Sequence, residues 1–326
     1  MPLFVVQLTK FKNNEGCAIG VAMHHILADG LEAVRFINLW AKLARGETLD
    51  PNELPFLDRT VLKFSHTPLE PRFEHIELKP LPLILGRTDT EEERLKKTTV
   101  SLLRLSPEQV EKLKKKANEN NEIVLAMMKK GSRPFSRFES ISAHVWRCAL
   151  KARELEENQE SVVRFNADVR SRIVPPLPKN YYGNALTQTA VKGYVGEITS
   201  KPLGYVSQKI RESVEVVNDE YIRSQIDVIR GFENLDDARS LFLGDFDKKT
   251  LYFGNPNFHV TSWLSMPTYE ADFGWGKPVY FGLNSLSPHD RALILLSSEG
   301  DGSVIVCLHF QIAHLELFKK FFYGDI

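Results

Sequence analysis

The chain has little of what marks several protein classes. Among its 326 residues there are three cysteines, Cys17, Cys148 and Cys307. They are odd in number, far apart and form no CxxC pair. The sequence therefore suggests neither a disulfide framework nor a cysteine zinc site, and a reduced, cytoplasmic compartment is expected. No apolar run approaches the ~20 residues that a membrane helix requires, and the first eight residues lack the basic flank of a signal peptide. Net charge is absent too: Lys+Arg and Asp+Glu are 42 each. That balance argues against nucleic acid or an anionic membrane as a partner. There is no internal repeat and no low-complexity tract. What is present, 43% hydrophobic and 26% charged residues, is ordinary for a globular protein of one large domain or two smaller ones.

The chemistry gathers at one stretch, Met23-His24-His25-Ile26-Leu27-Ala28-Asp29-Gly30. The apolar run before it, 17–23, reads as a short buried strand. The residues after it, 31–44, carry apolar side chains at helical spacing. A strand thus enters a tight turn and then a helix, with His25 and Asp29 at the junction. An imidazole at such a place can act as a general base, because imidazoles titrate near working pH. HxxxD is weak evidence in a chain of nine histidines, and a core histidine beside a helix cap fits the octapeptide equally well. A metal pair would need further ligands, and no nearby Cys or His supplies them.

Along the chain, the runs 3–9 and 17–23 flank a turn rich in Asn and Gly, which predicts a hairpin. Gly46 is the expected C-cap of the first helix. Pro51, Pro55, Pro68, Pro71, Pro80 and Pro82 make 50–86 an extended linker that no long helix can occupy. A strand over 98–105 leads into a helix capped by Ser106, Pro107 and Gln109. Its lysines, Lys112 and Lys114 to Lys116, read first as a solvated face and second as a phosphate site. Residues 118–134 read as a mobile loop or a short extra helix. Ser136 and Glu139 form a second capping box, opening a helix through Leu150 whose apolar stripe should pack on a sheet. Strands are expected at 161–169, after Asn184, and at 258–263, 279–281, 292–297 and 304–309. Helices are expected between 203 and 232 and around Leu315, Leu317, Phe318 and Phe321. Strands mixed with helices, without strict βαβ alternation, indicate a mixed-sheet α/β or an α+β fold.

A second stretch, Asp272-Phe273-Gly274-Trp275-Gly276, lies far downstream of the first. HHILADG followed by DFGWG resembles the plant BAHD acyltransferases, which carry HxxxDG and DFGWG in this order. The likeness continues through FINLWAKLARG, LPFLDRTVLKF, VRSR, PPLPKNYYGN and VTSW. PLPLILGRTD, EQVEKLKKKANE and YEADFGWGKPVYFG are most similar to the spermidine hydroxycinnamoyl transferases of that family. The resemblance implies an α/β, mixed-sheet, chloramphenicol-acetyltransferase-like fold of two domains joined by a long crossover loop. On this reading residues 1–50 are the remainder of an incomplete N-terminal domain, 51–95 the crossover linker and 96–326 the C-terminal domain. In the family a substantial segment precedes the strand leading to HxxxDG. An inactive truncated paralogue, at most an interaction partner, is therefore the alternative from another class.

The implied reaction is transfer of a hydroxycinnamoyl group from acyl-coenzyme A, a co-substrate, to an acceptor amine or alcohol. No permanent cofactor or metal is implied, and a monomer is expected. His25 would be the base. Asp29, with Gly30 after it, would turn away and pair with an arginine, Arg170 in the VRSR stretch or else Arg172. Thr261 and Trp263 share a strand face by alternation and offer a hydroxyl and an indole N–H toward an oxyanion or acceptor oxygen. Read without the family, they are two β-formers in a core strand. Asp272, Gly274, Trp275 and Gly276 would form a structural loop on the coenzyme A side. Ser136 and Ser140 would lie near its pantetheine or phosphates, where a helix N-terminus favours anions. Shikimate-using relatives carry an Arg-Gly-Ala-His-Thr stretch ahead of TSW. Here that region reads Asp247-Lys248-Lys249-Thr250-Leu251, which lacks the guanidinium fork. Spermidine is accordingly the expected acceptor, with shikimate, quinate or another alcohol as the alternative.

Overall fold

The computed structural model describes residues 2–62, 72–129, 131–234, 252–283 and 290–326. The Asp247–Leu251 stretch lies outside them. Contacts divide the chain into two interleaved units. One comprises Met1–His66, Asp168–Leu186 and Ser265–Ser285, the other Thr67–Ala167, Thr187–Leu264 and Leu286–Ile326.

The first unit opens with β1 (Phe4–Lys10) and β2 (Cys17–Met23), an antiparallel pair in which Phe4 faces Met23 and Lys10 faces Cys17. The hairpin is present, but its second strand is largely exposed rather than buried. Val5, Val6 and Leu8 on the first strand are exposed as well. Helix α1 (Gly30–Ala44) follows, capped by Asp29 and closed by Gly46 at φ +81°. The Phe4 ring meets Phe36 edge-on at 5.2 Å, which ties the hairpin to the helix. Phe56 forms a parallel bridge with Tyr181, bringing the Asp168–Leu186 segment alongside. Residues 279–281, expected as a strand, adopt none; Val279 and Tyr280 are exposed and gain no burial from pairing.

The second unit is built on a six-stranded mixed sheet in the order β3-β8-β7-β6-β4-β5. Its strands are β3 (Thr98–Leu105), β4 (Glu160–Asp168), β5 (Leu186–Tyr194), β6 (Phe258–Ser262), β7 (Arg291–Leu296) and β8 (Val304–Gln311). β4, β6 and β7 run parallel, while β8 is antiparallel to both β7 and β3. The helices are the short α2 (Glu91–Leu95), α3 (Pro107–Ala117), α4 (Glu122–Met127), α5 (Arg137–Arg153), α6 (Val195–Ser200), α7 (Leu203–Glu215), α8 (Asp219–Arg230) and α9 (Ile312–Gly324). Both capping boxes form. α5 is more than a stripe on a sheet. It packs against α3, α6, α7, α9 and β6, and 14 of its 17 residues are buried. Alternation on the strands sends Phe258, Val260, Ala292, Ile294, Val306 and Leu308 into this helical core. His259, Thr261, Arg291 and His309 point to the other face of the sheet.

Candidate active site

In the first unit β2 ends at Met23 and the chain turns over His25–Leu27. The Leu27 amide donates to the His24 carbonyl at 3.0 Å, and the Ile26 amide donates to His24 Nδ1 at 3.2 Å. The first imidazole is therefore folded back on the turn. The second is not: His25 is exposed, and among the described residues its ring has no hydrogen-bond partner. Its backbone is held instead, since Asn184 Nδ2 donates to the His25 carbonyl at 2.7 Å.

Asp29 is fully buried. One carboxylate oxygen accepts the Glu32 amide at 3.2 Å as an N-cap; the other accepts Arg170 Nη2 at 2.8 Å and the Ala185 amide at 3.0 Å. The same guanidinium nitrogen donates to the Gly183 carbonyl at 3.1 Å. Arg170 rather than Arg172 thus supplies the charge, and Asp29 faces it instead of His25. The pair fixes Gly30 as the first residue of α1 and locks the turn carrying the free imidazole.

Glu32 was not singled out from the sequence. It is buried and lies 3.8 Å from Arg170 and 3.9 Å from Arg35. Burial pushes its pKa up, against the pull of the Arg170 and Arg35 guanidiniums. The signal was available: Asp29-x-x-Glu32 has the spacing of a capping box.

Asp272 closes a turn of its own. Its Oδ1 accepts the Gly274 amide at 2.7 Å and the Gly276 amide at 3.0 Å, holding the carboxyl below its usual range. Gly274 and Gly276 sit at φ +99° and +100°, where a side chain would be strained. Phe273 meets Trp40 edge-on at 4.9 Å, Arg45 Nη1 donates to the Asp272 carbonyl, and Trp275 stays 69% exposed. These groups shape a loop and present no acid–base pair.

In the second unit Thr261 and Trp263 lie on one face of β6 and its continuation, where the Trp263 amide donates to the Ile294 carbonyl at 2.9 Å. Trp263 packs on Leu293, Leu295 and Cys307. His259, two residues before Thr261 on that face and overlooked in the sequence, brings its Nε2 to 3.5 Å from Thr261 Oγ1. Burial, then the Arg291 and Arg164 charges, push the His259 pKa well below the usual imidazole range.

Ser136 Oγ caps the Glu139 amide at 3.3 Å. Ser140 is fully buried and donates to the Ser136 carbonyl at 2.9 Å, so it offers no atom to solvent. The start of α5 is occupied by Glu139, which binds Arg211 at 2.9 Å and Arg133 at 2.9 Å. Burial alone would raise this carboxyl; hydrogen bonds from Arg211, Arg133 and Ser136 outweigh it and bring the pKa down to about 2. Lys114 pairs with Glu111 at 3.0 Å and Lys116 donates to the Asp325 carbonyl at 2.6 Å.

No group of three or more His, Cys, Asp or Glu among the described residues could hold a metal ion, and no helix there is long and apolar enough to cross a membrane. An exposed imidazole on a pinned turn suits removal of a proton from a nucleophile. The mixed-sheet α/β fold recurs among solved structures. A Fusarium sporotrichioides TRI101 structure, complexed with coenzyme A and T-2, matches 98% of this chain and 68% of its own at a TM-score of 0.70 and 19% identity.

The chain belongs to the Transferase family, whose model matches residues 1–325; it is a BAHD-type acyltransferase with acyl-coenzyme A as co-substrate. It is similar to hydroxycinnamoyl-CoA:piscidic acid hydroxycinnamoyltransferase of Actaea racemosa, 43% identical over all of this chain and 71% of that one. Shikimate O-hydroxycinnamoyltransferase of Nicotiana tabacum is 35% identical over 98% and 69% of the two chains. A hydroxycinnamoyl-CoA:5-hydroxyanthranilate N-hydroxycinnamoyltransferase of Avena sativa is 33% identical over 98% and 68%.

Proposed function

We propose that the chain transfers a hydroxycinnamoyl group from coenzyme A to an acceptor amine or hydroxyl, with His25 as the general base. The observation that carries this reading is the exposed His25 ring on a turn held by Asn184 and by the Asp29–Arg170 pair. His25 takes the proton of the acceptor N–H or O–H as its heteroatom attacks the thioester carbonyl. The tetrahedral oxyanion then collapses, the C–S bond breaks, and the leaving thiolate takes the proton from the imidazolium. Thr261 and Trp263 are proposed as donors toward the oxyanion or the acceptor oxygen. Asp29 and Arg170 are positioning residues, and the Asp272–Gly276 turn supports the coenzyme A side. Site and protein are proposed to work as a cytoplasmic monomer.

Spermidine is the acceptor that the sequence suggests, because the expected arginine is missing at 247–251. An acidic acceptor is the second reading, favoured by Arg291 elsewhere in the second unit and by the acids in the relatives' names. The test is thiol release from p-coumaroyl-CoA with spermidine, shikimate or 5-hydroxyanthranilate as acceptor. His25→Ala should lower kcat by about 10²–10⁴-fold and leave coenzyme A binding unchanged. Full activity in that variant would overturn the assignment of the base, and no acceptor-dependent release from the wild type would overturn the reaction.

A further inference from the structure

The sheet of the second unit carries an unusual row. Reading across neighbouring strands at one register, Val100 on β3 faces His309 on β8, which faces Arg291 on β7, then His259 on β6, then Arg164 on β4. Four consecutive members of the row are basic residues on the same face, where like charges directly opposite one another are destabilising. Arg164 and His259 are buried, 2% and 8% exposed, and so is His309. Arg291 is partly buried.

Counter-charges account for only part of this. Arg164 Nη2 donates to the Glu77 backbone carbonyl at 2.6 Å, and its guanidinium lies 4.5 Å from the centre of the Phe253 ring. The carboxylate of Glu77 is taken up by Tyr221, Gln225 and His75. Asp290, beside Arg291 in sequence, is paired with Arg153 at 2.6 Å. The Arg291 side chain has no hydrogen bond or ion pair among the described residues, and its Nε is buried without a partner. A guanidinium in that state bears a desolvation cost that nothing among the described residues offsets, and a buried unsatisfied donor calls for a partner. Arg291 also sits one strand from Thr261 and Trp263, because β7 pairs with β6 through His259↔Arg291 and Thr261↔Leu293.

We propose that Arg291, with His259 on the next strand, seats a carboxylate of the acceptor, so that the acceptor is a hydroxy or amino acid and not a polyamine. The seat deepens the acyl-transfer reading and rests on it for what the bound acid then does. A guanidinium fork matches a carboxylate with two parallel N–H···O bonds. The neutral imidazole of His259 can add a donor without adding charge. The fork that the 247–251 sequence lacks is thereby supplied from β7.

Binding and turnover are measured separately on the full chain. Shikimate and 5-hydroxyanthranilate should raise the melting temperature and bind by calorimetry, and their methyl esters should not. Arg291→Gln should weaken acid binding by 10-fold or more, Arg291→Lys should recover part of it, and coenzyme A affinity should stay unchanged in both. Without any ligand, Arg291→Gln should melt no lower than the wild type, since it removes an uncompensated buried cation. Spermidine binding with no acid binding would overturn the seat while leaving acyl transfer intact. Loss of coenzyme A affinity in Arg291→Gln, with acid binding kept, would overturn it in favour of a phosphate. Acid binding that depends on Arg291, without p-coumaroyl transfer, would uphold the seat and overturn the reaction.

Discussion

At the scale of single residues, the turn carrying His25 is held by a carboxylate that does not touch it. Asp29 binds Arg170, the Ala185 amide and the start of α1. Breaking a buried ion pair by removing one charge costs about 3–5 kcal/mol, because the other charge is stranded. Asp29→Asn keeps an N-cap and loses the pair, so it should lower the melting temperature by several degrees together with activity. Lost activity at an unchanged melting temperature would give Asp29 a direct part in the chemistry. Glu32→Gln is the contrast. Burial pushes that carboxyl's pKa up, and Arg170 keeps Asp29, so the change should cost less than about 1 kcal/mol. His25, Asp29 and Arg170 were legible because short motifs carry them. Arg291 and His259 were not, because their neighbours are set by strand register, and no local pattern encodes which strands lie side by side.

At the scale of elements, α5 shows what local reading captures and what it misses. Its start was written in the sequence, since Ser136 and Glu139 form a box using neighbouring backbone alone. Its surroundings were not. An apolar stripe predicts one buried face, whereas helices from four other places cover the remainder. The strand expected at 279–281 failed for the converse reason: β-propensity describes a side chain that fits a half-buried surface, and none is offered there.

Burial gives α5 a pH signature. His144 is 1% exposed, bonded at 2.8 Å to the Phe322 carbonyl, and burial lowers its pKa to about 4. The unfolded chain therefore takes up this proton before the folded one does. Stability from His144 is full above the usual imidazole range and is lost as pH falls toward about 4, by about 1.4 kcal/mol per pH unit. Glu139, held down to about 2, adds a second loss from the ordinary carboxylate range downward. Denaturant midpoints between pH 7 and 4 should fall in the wild type and fall less steeply in His144→Gln. Equal slopes would remove His144 from the account.

At the scale of the whole molecule, the two units alternate along the sequence. Asp168–Leu186 and Ser265–Ser285 join the first 66 residues, and three other segments make up the second unit. Such grouping depends on contacts between distant parts of the chain, so composition and periodicity carry no sign of it. The core of the second unit is shared in the same way: Leu315, Phe318 and Phe322 of α9 are buried against α5. A chain stopped after Gln311 should lose its cooperative thermal transition, as calorimetry would show; a sharp melt would mean that α5 is closed without them.

The contact between His144 and Phe322, 178 residues apart, also sets a clock. Chains leave the ribosome at roughly 5–20 residues per second. α5, with 14 of its 17 residues buried in the finished fold, therefore waits on the order of ten to forty seconds for its final cover. Through that interval α5 is a client for chaperones, and its exposure during synthesis should limit how much protein a cell can accumulate at high expression rates.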